Sequence, residues 1–175
     1  LSGSASTAIS IGAGNPPVVT APATASVNEN SALSFTVSAT DADRPAITSL
    51  TAAGTAITAG ATFTAGAGNT SGTLSWTPTF TQAGSYAVTF TATNALSGSA
   101  STAITVNNLN NNPVVTAPAT ASTDEGVLLS FAVSATDADG DDVTLSAPIL
   151  PLGASFTDGG AGVNTGTFSW TPAFN

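Results

Sequence analysis

The chain of 175 residues has a net charge of −9 at pH 7, with one basic residue, Arg44, against ten acidic ones, and no Cys, His or Met. The scarcity of cations excludes a nucleic-acid interface and electrostatic attraction to anionic lipids, because no basic cluster would neutralise phosphate groups. The missing residue types exclude Ser-His-Asp and Cys-His nucleophiles, an ordinary zinc site and a lysine Schiff base. Paired carboxylates are the one catalytic route left, and we expect no enzyme activity from this chain.

The first predicted element is a strand at residues 1–11, followed by a linker up to residue 14. Its sequence LSGSASTAI returns at residues 96–104, where it closes a later repeat. We therefore interpret residues 1–14 as the last strand and linker of a preceding repeat. The chain does not begin with Met, has no basic segment followed by an apolar one, and lacks apolar runs long enough to span a bilayer. These features indicate a mature sequence or a window from a longer tandem array.

Residues 15–110 form the next predicted unit, which is a complete repeat. Apolar residues alternate with Ser and Thr, as in LSFTVSAT from residue 33 and YAVTFTAT from residue 86. This period of two is typical of strands with one buried face, and Thr and Val favour strands. The pattern predicts about seven strands, near residues 18–28, 32–40, 46–53, 57–64, 72–77, 84–94 and 99–107.

Residues 111–175 form a second repeat, which we expect to be incomplete. VVTAPATAS at residues 18–26 and VSATDAD at residues 37–43 return 96 positions later, and SWTP returns 94 positions later. On this alignment Asn175 corresponds to Thr81, so the second repeat would lack the last two strands of the first. We predict that residues 15–110 fold alone and that residues 111–175 do not. Their open edge would be filled by more of the same chain or by a strand from a neighbour.

The predicted fold class is all-β. Seven short strands in a repeat of about 95 residues, with Gly and Pro between them, are typical of a two-sheet β-sandwich. We predict Trp76 and Phe35 at the centre of the core.

Three segments, NPPVVTAPATASVNEN, LSFTVSATDAD and GTLSWTPTFTQAGSYAVTFTATN, resemble bacterial Ig-like and dystroglycan-type cadherin-like repeats of large surface adhesins and stalks. The resemblance covers essentially the whole chain. It implies tandem Ig-like/cadherin-like sandwiches of about seven strands each, placed outside the cell or at its surface. It also implies a mechanical or display role.

The same resemblance implies calcium at the junction between repeats. In cadherin-type arrays the ion is held by a glutamate near the first strand, a D-x-N-D-N linker and a D-x-D pair. The linker NLNNN at residues 108–112 resembles D-x-N-D-N with both aspartates replaced by asparagine. The implied ligands are Glu29, Asn108, Asn110, Asn111, Asp137 and Asp139. We expect no other cofactor.

The departures from that pattern predict weak binding. Exchanging two aspartates for asparagines keeps the number of oxygens but removes charge. Four aspartates within residues 137–142 favour a bridging cation, whereas IGAGNPP at residues 11–17 offers few side-chain oxygens and predicts a metal-free first junction. The alternative is that these Asp and Asn side chains only form Asx turns with the backbone.

We predict that the chain is a structural spacer or stalk segment of a repetitive extracellular protein or filament. The expected partners are neighbouring repeats of the same or an identical chain, including lateral or head-to-tail self-association. One alternative is an adhesive module for sugar, ice or a host protein, which clustering of Thr on one sheet would favour. Another is an accessory domain of a secreted hydrolase. Asn69-Thr70-Ser71 matches the N-glycosylation sequon, a short pattern that arises by chance in a Thr-rich chain.

Overall fold

The computed structural model describes residues 14–43 and 45–174, and nearly all regular structure in this part of the chain is β. The predicted all-β fold class is confirmed. The chain divides into two compact units after Asn108, and each is described by itself. The predicted strand at residues 1–11 lies outside the described residues, as does Arg44.

The first unit is a sandwich of two four-stranded sheets. One sheet has the order β1-β3-β6-β5 and the other β2-β8-β7-β4; neighbouring strands are antiparallel except for the parallel pair β2 and β8. The strands are β1 (Val18–Thr20), β2 (Thr24–Asn28), β3 (Leu33–Thr40), β4 (Ser49–Ala53), β5 (Thr62–Ala65), β6 (Ser71–Trp76), β7 (Gly84–Thr93) and β8 (Ser97–Asn107). A short helix, α1 (Thr55–Thr58), precedes β5, and a 3₁₀ turn (Ala67–Asn69) follows it.

The predicted strand at residues 18–28 is wrong as a single element, because the chain changes sheets within it. β1 pairs with β3, whereas β2 pairs with β8. The break includes Pro22, which has no N–H to donate to a strand ladder. The buried Thr102 hydroxyl donates to the Pro22 carbonyl oxygen at 2.6 Å, and the Ala103 N–H donates to the Ala23 carbonyl oxygen at 3.0 Å. These bonds hold the segment between β1 and β2, where the chain passes from one sheet to the other, against β8.

The predicted strand at residues 57–64 is wrong in its first half, where α1 and a turn precede β5. Gly54 has a φ of 137°, and a Cβ there would lie 2.4 Å from the Ala87 carbonyl oxygen. Glycine therefore allows the chain to bend sharply against β7. The Ala87 N–H donates to Thr55 Oγ1 at 2.8 Å, which holds the start of α1 at the same strand.

The core of the first unit is formed by the inward-facing residues of both sheets. Phe90 is fully buried at its centre, and its ring centroid lies 6.0 Å from that of Phe35 and 5.2 Å from that of Phe63. Trp76 is buried as predicted, edge-on to Tyr86 at 4.8 Å. The predicted place of Phe35 at the centre is wrong, because it meets Phe90 edge-on and stays half-buried.

The first residue of the GTLSW segment, Gly72, is buried beneath an aromatic ring, which explains why it is a glycine. The ring of Phe63 lies across Gly72 on the neighbouring strand, so that a Cβ at Gly72 would lie 2.2 Å from the ring. The second unit has the same arrangement at Gly166 and Phe156, where the distance would be 2.4 Å. Any side chain at the glycine position would displace an aromatic ring of the core.

The second unit repeats one sheet of the first. Its strands β9 (Val114–Thr116), β10 (Leu129–Thr136), β11 (Ser155–Asp158) and β12 (Thr165–Trp170) have the order β11-β12-β10-β9, which corresponds to β5-β6-β3-β1. The register is also the same: Leu33 pairs with Trp76, and Leu129 pairs with Trp170. Among residues 109–174, no strand corresponds to β2, β4, β7 or β8.

We expect Phe90→Ala to lower the free energy of unfolding of the first unit by about 3–5 kcal/mol, because it removes a fully buried ring and leaves a cavity. Urea unfolding of residues 15–110, followed by circular dichroism, measures this loss. Val18→Ala, at a side chain that is 60% exposed, is the control and should cost less than about 0.5 kcal/mol. Equal effects of the two substitutions would contradict this packing.

Candidate metal site in the aspartate loops

The loop that follows β3 is closed by two aspartates. The Asp43 N–H donates to Asp41 Oδ1 at 2.9 Å, which forms an Asx turn. The Asp43 carboxylate accepts hydrogen bonds from the Asn15 backbone N–H and from Asn15 Nδ2, the latter at 3.1 and 3.2 Å from its two oxygens. These bonds hold the segment before β1 against the loop after β3.

Asp41 has a second partner in the turn between β7 and β8. Asn94 Nδ2 donates to Asp41 Oδ2 at 2.9 Å, and Asn94 Oδ1 accepts the Leu96 N–H at 2.9 Å. Asp41 belongs to the segment ATDAD and Asn94 to TATN, both of which are parts of the sequence resemblance. One hydrogen bond between these residues therefore connects a loop of one sheet to a turn of the other. The aspartates of the first loop have a structural role.

The loop that follows β10 repeats this geometry. The Asp139 N–H donates to Asp137 Oδ1 at 2.8 Å. Asn111 donates to both Asp139 oxygens, with its backbone N–H at 2.6 Å and its Nδ2 at 3.1 Å. Each of these residues lies 96 positions after its counterpart in the first unit.

The second loop is more acidic than the first. Asp137, Asp139 and Asp141 each offer a carboxylate oxygen, and these oxygens lie within 4.8 Å of one another. The first loop has Pro45 at the position of Asp141. Carboxylate oxygens suit calcium, so the group fits as three of the roughly six to eight ligands that this ion takes. Asp141 is absent from the predicted ligand set, although the crowding of aspartates pointed to this loop.

The six predicted ligands are divided between the two units. Glu29 and Asn108 belong to the first unit, and Asn110, Asn111, Asp137 and Asp139 belong to the second. Glu29 is fully buried directly after β2, and its backbone N–H donates to the Asn107 carbonyl oxygen at 3.1 Å. Asn108 is exposed. Within the second unit, the structure brings Asn111, Asp137 and Asp139 together.

The side-chain amides of Asn110 and Asn111 act as hydrogen-bond donors. Besides Asp139, the amide nitrogen of Asn111 reaches the Leu109 carbonyl oxygen at 2.9 Å, and that of Asn110 reaches the Asn111 carbonyl oxygen at 3.4 Å. They present N–H groups at these contacts, where calcium ligands would present oxygen. These are local hydrogen bonds made by the amide nitrogens, whereas an Asx turn would use the side-chain oxygen as acceptor. Calcium binding stays a prediction, with the three aspartates as its best-fitting ligands.

Asn69, the first residue of the sequon, has a structural role. It adopts a φ of 56°, and its Nδ2 donates to the carbonyl oxygens of Ile47 and Thr48 at 3.2 and 3.1 Å. Asn164 has a φ of 38° in the corresponding turn of the second unit, and its Oδ1 accepts the Val143 N–H at 2.9 Å. The asparagine therefore fits the turn in both units.

A comparison with protein families decides the classification. The family model described as "Putative Ig domain" matches residues 16–108, which is more than half of the chain. The chain belongs to this Ig-domain family. The match begins just before β1 and ends just after β8, so it covers both sheets of the first unit.

Several solved structures are similar at low identity. An endo-fucoidan hydrolase of glycoside hydrolase family 107 is 19% identical, with a TM-score of 0.44, over 89% of this chain and 24% of its own. The titin domains z1z2 in complex with telethonin are 14% identical, with a TM-score of 0.42, over 93% of this chain and 84% of theirs. The chain thus spans about a quarter of the hydrolase that it matches.

A search of the curated proteins found no match. None of the helices within residues 14–43 and 45–174 has the length and apolar character needed to cross a membrane.

We expect Asn15→Ala and Asp43→Ala each to destabilise the first unit by about 1 kcal/mol or more, because both remove the hydrogen bonds between the Asn15 side-chain amide and the Asp43 carboxylate. Asp43→Ala should cost more, because it also removes the acceptor of the Asn15 backbone N–H. Their combined effect should fall short of the sum by about 0.5–1 kcal/mol, as expected for two residues in contact. Urea unfolding of the two single variants and the double variant measures this coupling. Asn15→Ala paired with Thr73→Ala, on a distant strand, is the control and should be additive; additivity of Asn15→Ala with Asp43→Ala would contradict the contact.

We expect the second loop to bind calcium weakly, with a Kd of about 10⁻⁴ to 10⁻³ M, because few carboxylates contribute. Isothermal titration of the full chain measures this affinity. Asp141→Asn should abolish the binding heat, whereas Asp124→Asn, at an exposed aspartate outside the loop, should leave it unchanged. A chain that gives no binding heat at millimolar calcium would identify the loop as an Asx turn alone.

Proposed function

We propose that this chain is a structural spacer segment of a repetitive extracellular protein, in which Ig-like sandwiches follow one another along the chain. The observation that carries the proposal is the repetition of the sheet itself. The second unit keeps the strand order and the register of the first, from Leu33 opposite Trp76 to Leu129 opposite Trp170. A module that buries its own core can be repeated at little folding cost, so a chain of such modules grows by addition.

The outer faces of the first unit support a spacer over an adhesive module. Thr36 lies opposite Thr73 on one sheet, and Thr51 lies opposite Thr91 on the other. An adhesive surface for sugar or ice would concentrate hydroxyl groups on one flat face. Here both sheets carry them, so neither face is singled out as a binding surface.

The positions of four carboxylates in the chain support a non-catalytic role. Asp41 and Asp43 close the first loop through hydrogen bonds, and Asp124 and Glu125 are exposed in a turn. Acid–base catalysis would use carboxylates that converge on a substrate cleft. The proposed extracellular placement, and the narrower assignment to adhesin or cadherin-like repeats, derive from the sequence resemblance.

The test uses chains with one, two and three copies of residues 15–110. We expect each chain to unfold cooperatively and the maximum dimension measured by small-angle X-ray scattering to increase by a constant step per copy. Binding to a glycan array and to ice should be absent. Saturable binding that Thr91→Lys abolishes and Thr73→Lys preserves would instead identify an adhesive face on one sheet.

A further inference from the structure

Both sheets of the first unit end on the same side of the sandwich, at strands β4 and β5. β4 is the last strand of the order β2-β8-β7-β4, and β5 is the last strand of the order β1-β3-β6-β5. Within the described residues, each of them pairs with one neighbouring strand only. Such a strand presents backbone N–H and C=O groups on its other side that a further strand can bind. We call this free side of β4, over Ser49–Ala53, the β4 edge.

The β4 edge is regular along the whole strand. The residues of β4 pair one-to-one with residues 89–93 of β7, so the strand contains no bulge. The chain then leaves the sheet, because the Ala87 N–H, beyond the last of these pairs, donates to Thr55 Oγ1 in α1 at 2.8 Å. α1 therefore begins past the end of β4.

The opposite side of the sandwich carries residues that hinder strand addition, whereas the β4 edge does not. β1 and β2 are the last strands on that side, and prolines lie before and between them, at positions 16, 17 and 22. Proline has no N–H to donate, and charged side chains also discourage pairing at an edge. Residues 49–65, from β4 through β5, contain neither proline nor a charged residue. Of the two sides, the one at β4 is therefore the one suited to pairing with another strand.

An apolar groove lies between the β4 edge and β5. It has a volume of about 520 Å³, and its lining includes Leu50 and Ala52 of β4, Ile57 of α1 and Phe63 of β5. Leu50 is buried, whereas the other three side chains are half-buried. A strand paired with β4 would cover these half-buried side chains with its own inward-facing residues, which removes apolar surface from water.

The charge distribution favours a second copy of this chain as the partner. The chain has a net charge of −9, so two copies repel each other unless their carboxylates stay apart. Residues 45–123 contain no acidic or basic residue, and they include β4, α1, β5 and the β7–β8 hairpin. Two copies that meet at β4 therefore bring uncharged surfaces together. A partner strand with charged inward-facing residues would instead bury a charge at the groove.

β4 is complementary to itself in an antiparallel pair. When Thr51 lies opposite Thr51 of the second copy, all residues of the strand have a partner, and Leu50 lies opposite Ala52. Each large inward-facing side chain then meets a small one, while the exposed Thr51 side chains meet on the outer face. A two-fold axis through this pair makes the contact identical for both copies, so the interface closes at a dimer.

We propose that the β4 edge binds the β4 edge of a second copy of this chain, so that the sheet β2-β8-β7-β4 continues from one copy into the other. Backbone hydrogen bonds along β4 supply the contact, and alternate side chains cover the groove. Because the paired strands are short, the interface is small and the association of two chains is weak. The inference does not depend on the proposed spacer function.

The first test uses the absence of cysteine from the chain. In the proposed pair the two Cα atoms at position 51 lie about 4.5–5.5 Å apart, a spacing that a disulfide can bridge. Mild oxidation of the full chain with Thr51→Cys should give at least about ten times more covalent dimer than Thr20→Cys, because pairing raises the effective concentration of the thiols. Thr20 is the matched control, an exposed threonine on the edge strand β1. Equal yields would overturn the proposal.

A mixture of two cysteine variants tests the register. Ser49 lies opposite Ala53 in the proposed pair, whereas two copies of Ser49 lie far apart along the strands. Oxidation of an equimolar mixture of Ser49→Cys and Ala53→Cys chains should therefore give mainly the mixed dimer. Random pairing of the chains would overturn the antiparallel register.

Charge substitutions test the pair without a crosslink. Thr51→Lys and Thr51→Glu each place two like charges opposite each other, so each should weaken self-association in sedimentation equilibrium at least about tenfold. An equimolar mixture should restore association to within about threefold of the unsubstituted chain, because lysine then lies opposite glutamate. Thr20→Lys is the control and should change association less than about twofold.

Circular dichroism establishes that both charge variants are folded before they are compared. Association that Thr51→Lys and Thr51→Glu leave unchanged would overturn the proposal, as would the absence of recovery when the two folded variants are mixed. A chain that stays monomeric at about millimolar concentration and gives no Thr51→Cys crosslink would also overturn it.

Discussion

The burial of the β7–β8 hairpin against the sheet of β3 and β6 holds the first unit together. Phe90 supplies the centre of this contact, and Tyr86 meets Trp76 within the same core. Much of the rest of the core is Val and Ala, and Phe90 is the largest fully buried side chain among the described residues. β2 and β4 pair only with this hairpin. Without it they have no neighbour, which explains why residues 109–174 contain counterparts of β1, β3, β5 and β6 alone.

Asparagine amides stabilise carboxylates in a chain that has one basic residue. Asn15 bonds to Asp43, and Asn111 bonds to Asp139 in the same geometry. These amides supply hydrogen-bond donors to the carboxylate oxygens where no basic side chain among the described residues does. They also connect the segment before β1 to the loop after β3, and the segment before β9 to the loop after β10. The linker at residues 108–112 has asparagine where the metal-binding pattern that it resembles has aspartate. One of these asparagines, Asn111, has a structural role through its hydrogen bond to Asp139.

The alternation of apolar and hydroxyl residues was sufficient to predict the fold class, because a period of two specifies which face of a strand is buried. Two local features escaped this pattern. α1 spans four residues, Thr55–Thr58, which is too short to show a helical period. The change of sheet near Pro22 depends on pairing with β8, about 80 residues away, and the predicted strand over residues 18–28 passed through this proline. In the candidate site, repetition of ATDAD located the loop. The sequence did not predict that the Asn111 amide nitrogen points toward Asp139, because this orientation depends on contacts in the folded structure.

The strands of the first unit contain no charged residue, so its two sheets present hydroxyl groups and small apolar groups to the solvent. Hydroxyl–water contacts respond little to ionic strength, whereas pairs of charges are screened over about 10 Å in 0.1 M salt. The lateral faces of such a module therefore keep the same hydration in dilute and in saline water. Within the described residues of the first unit, the ionisable carboxylates lie in turns and loops, so the ionic response of this unit arises there.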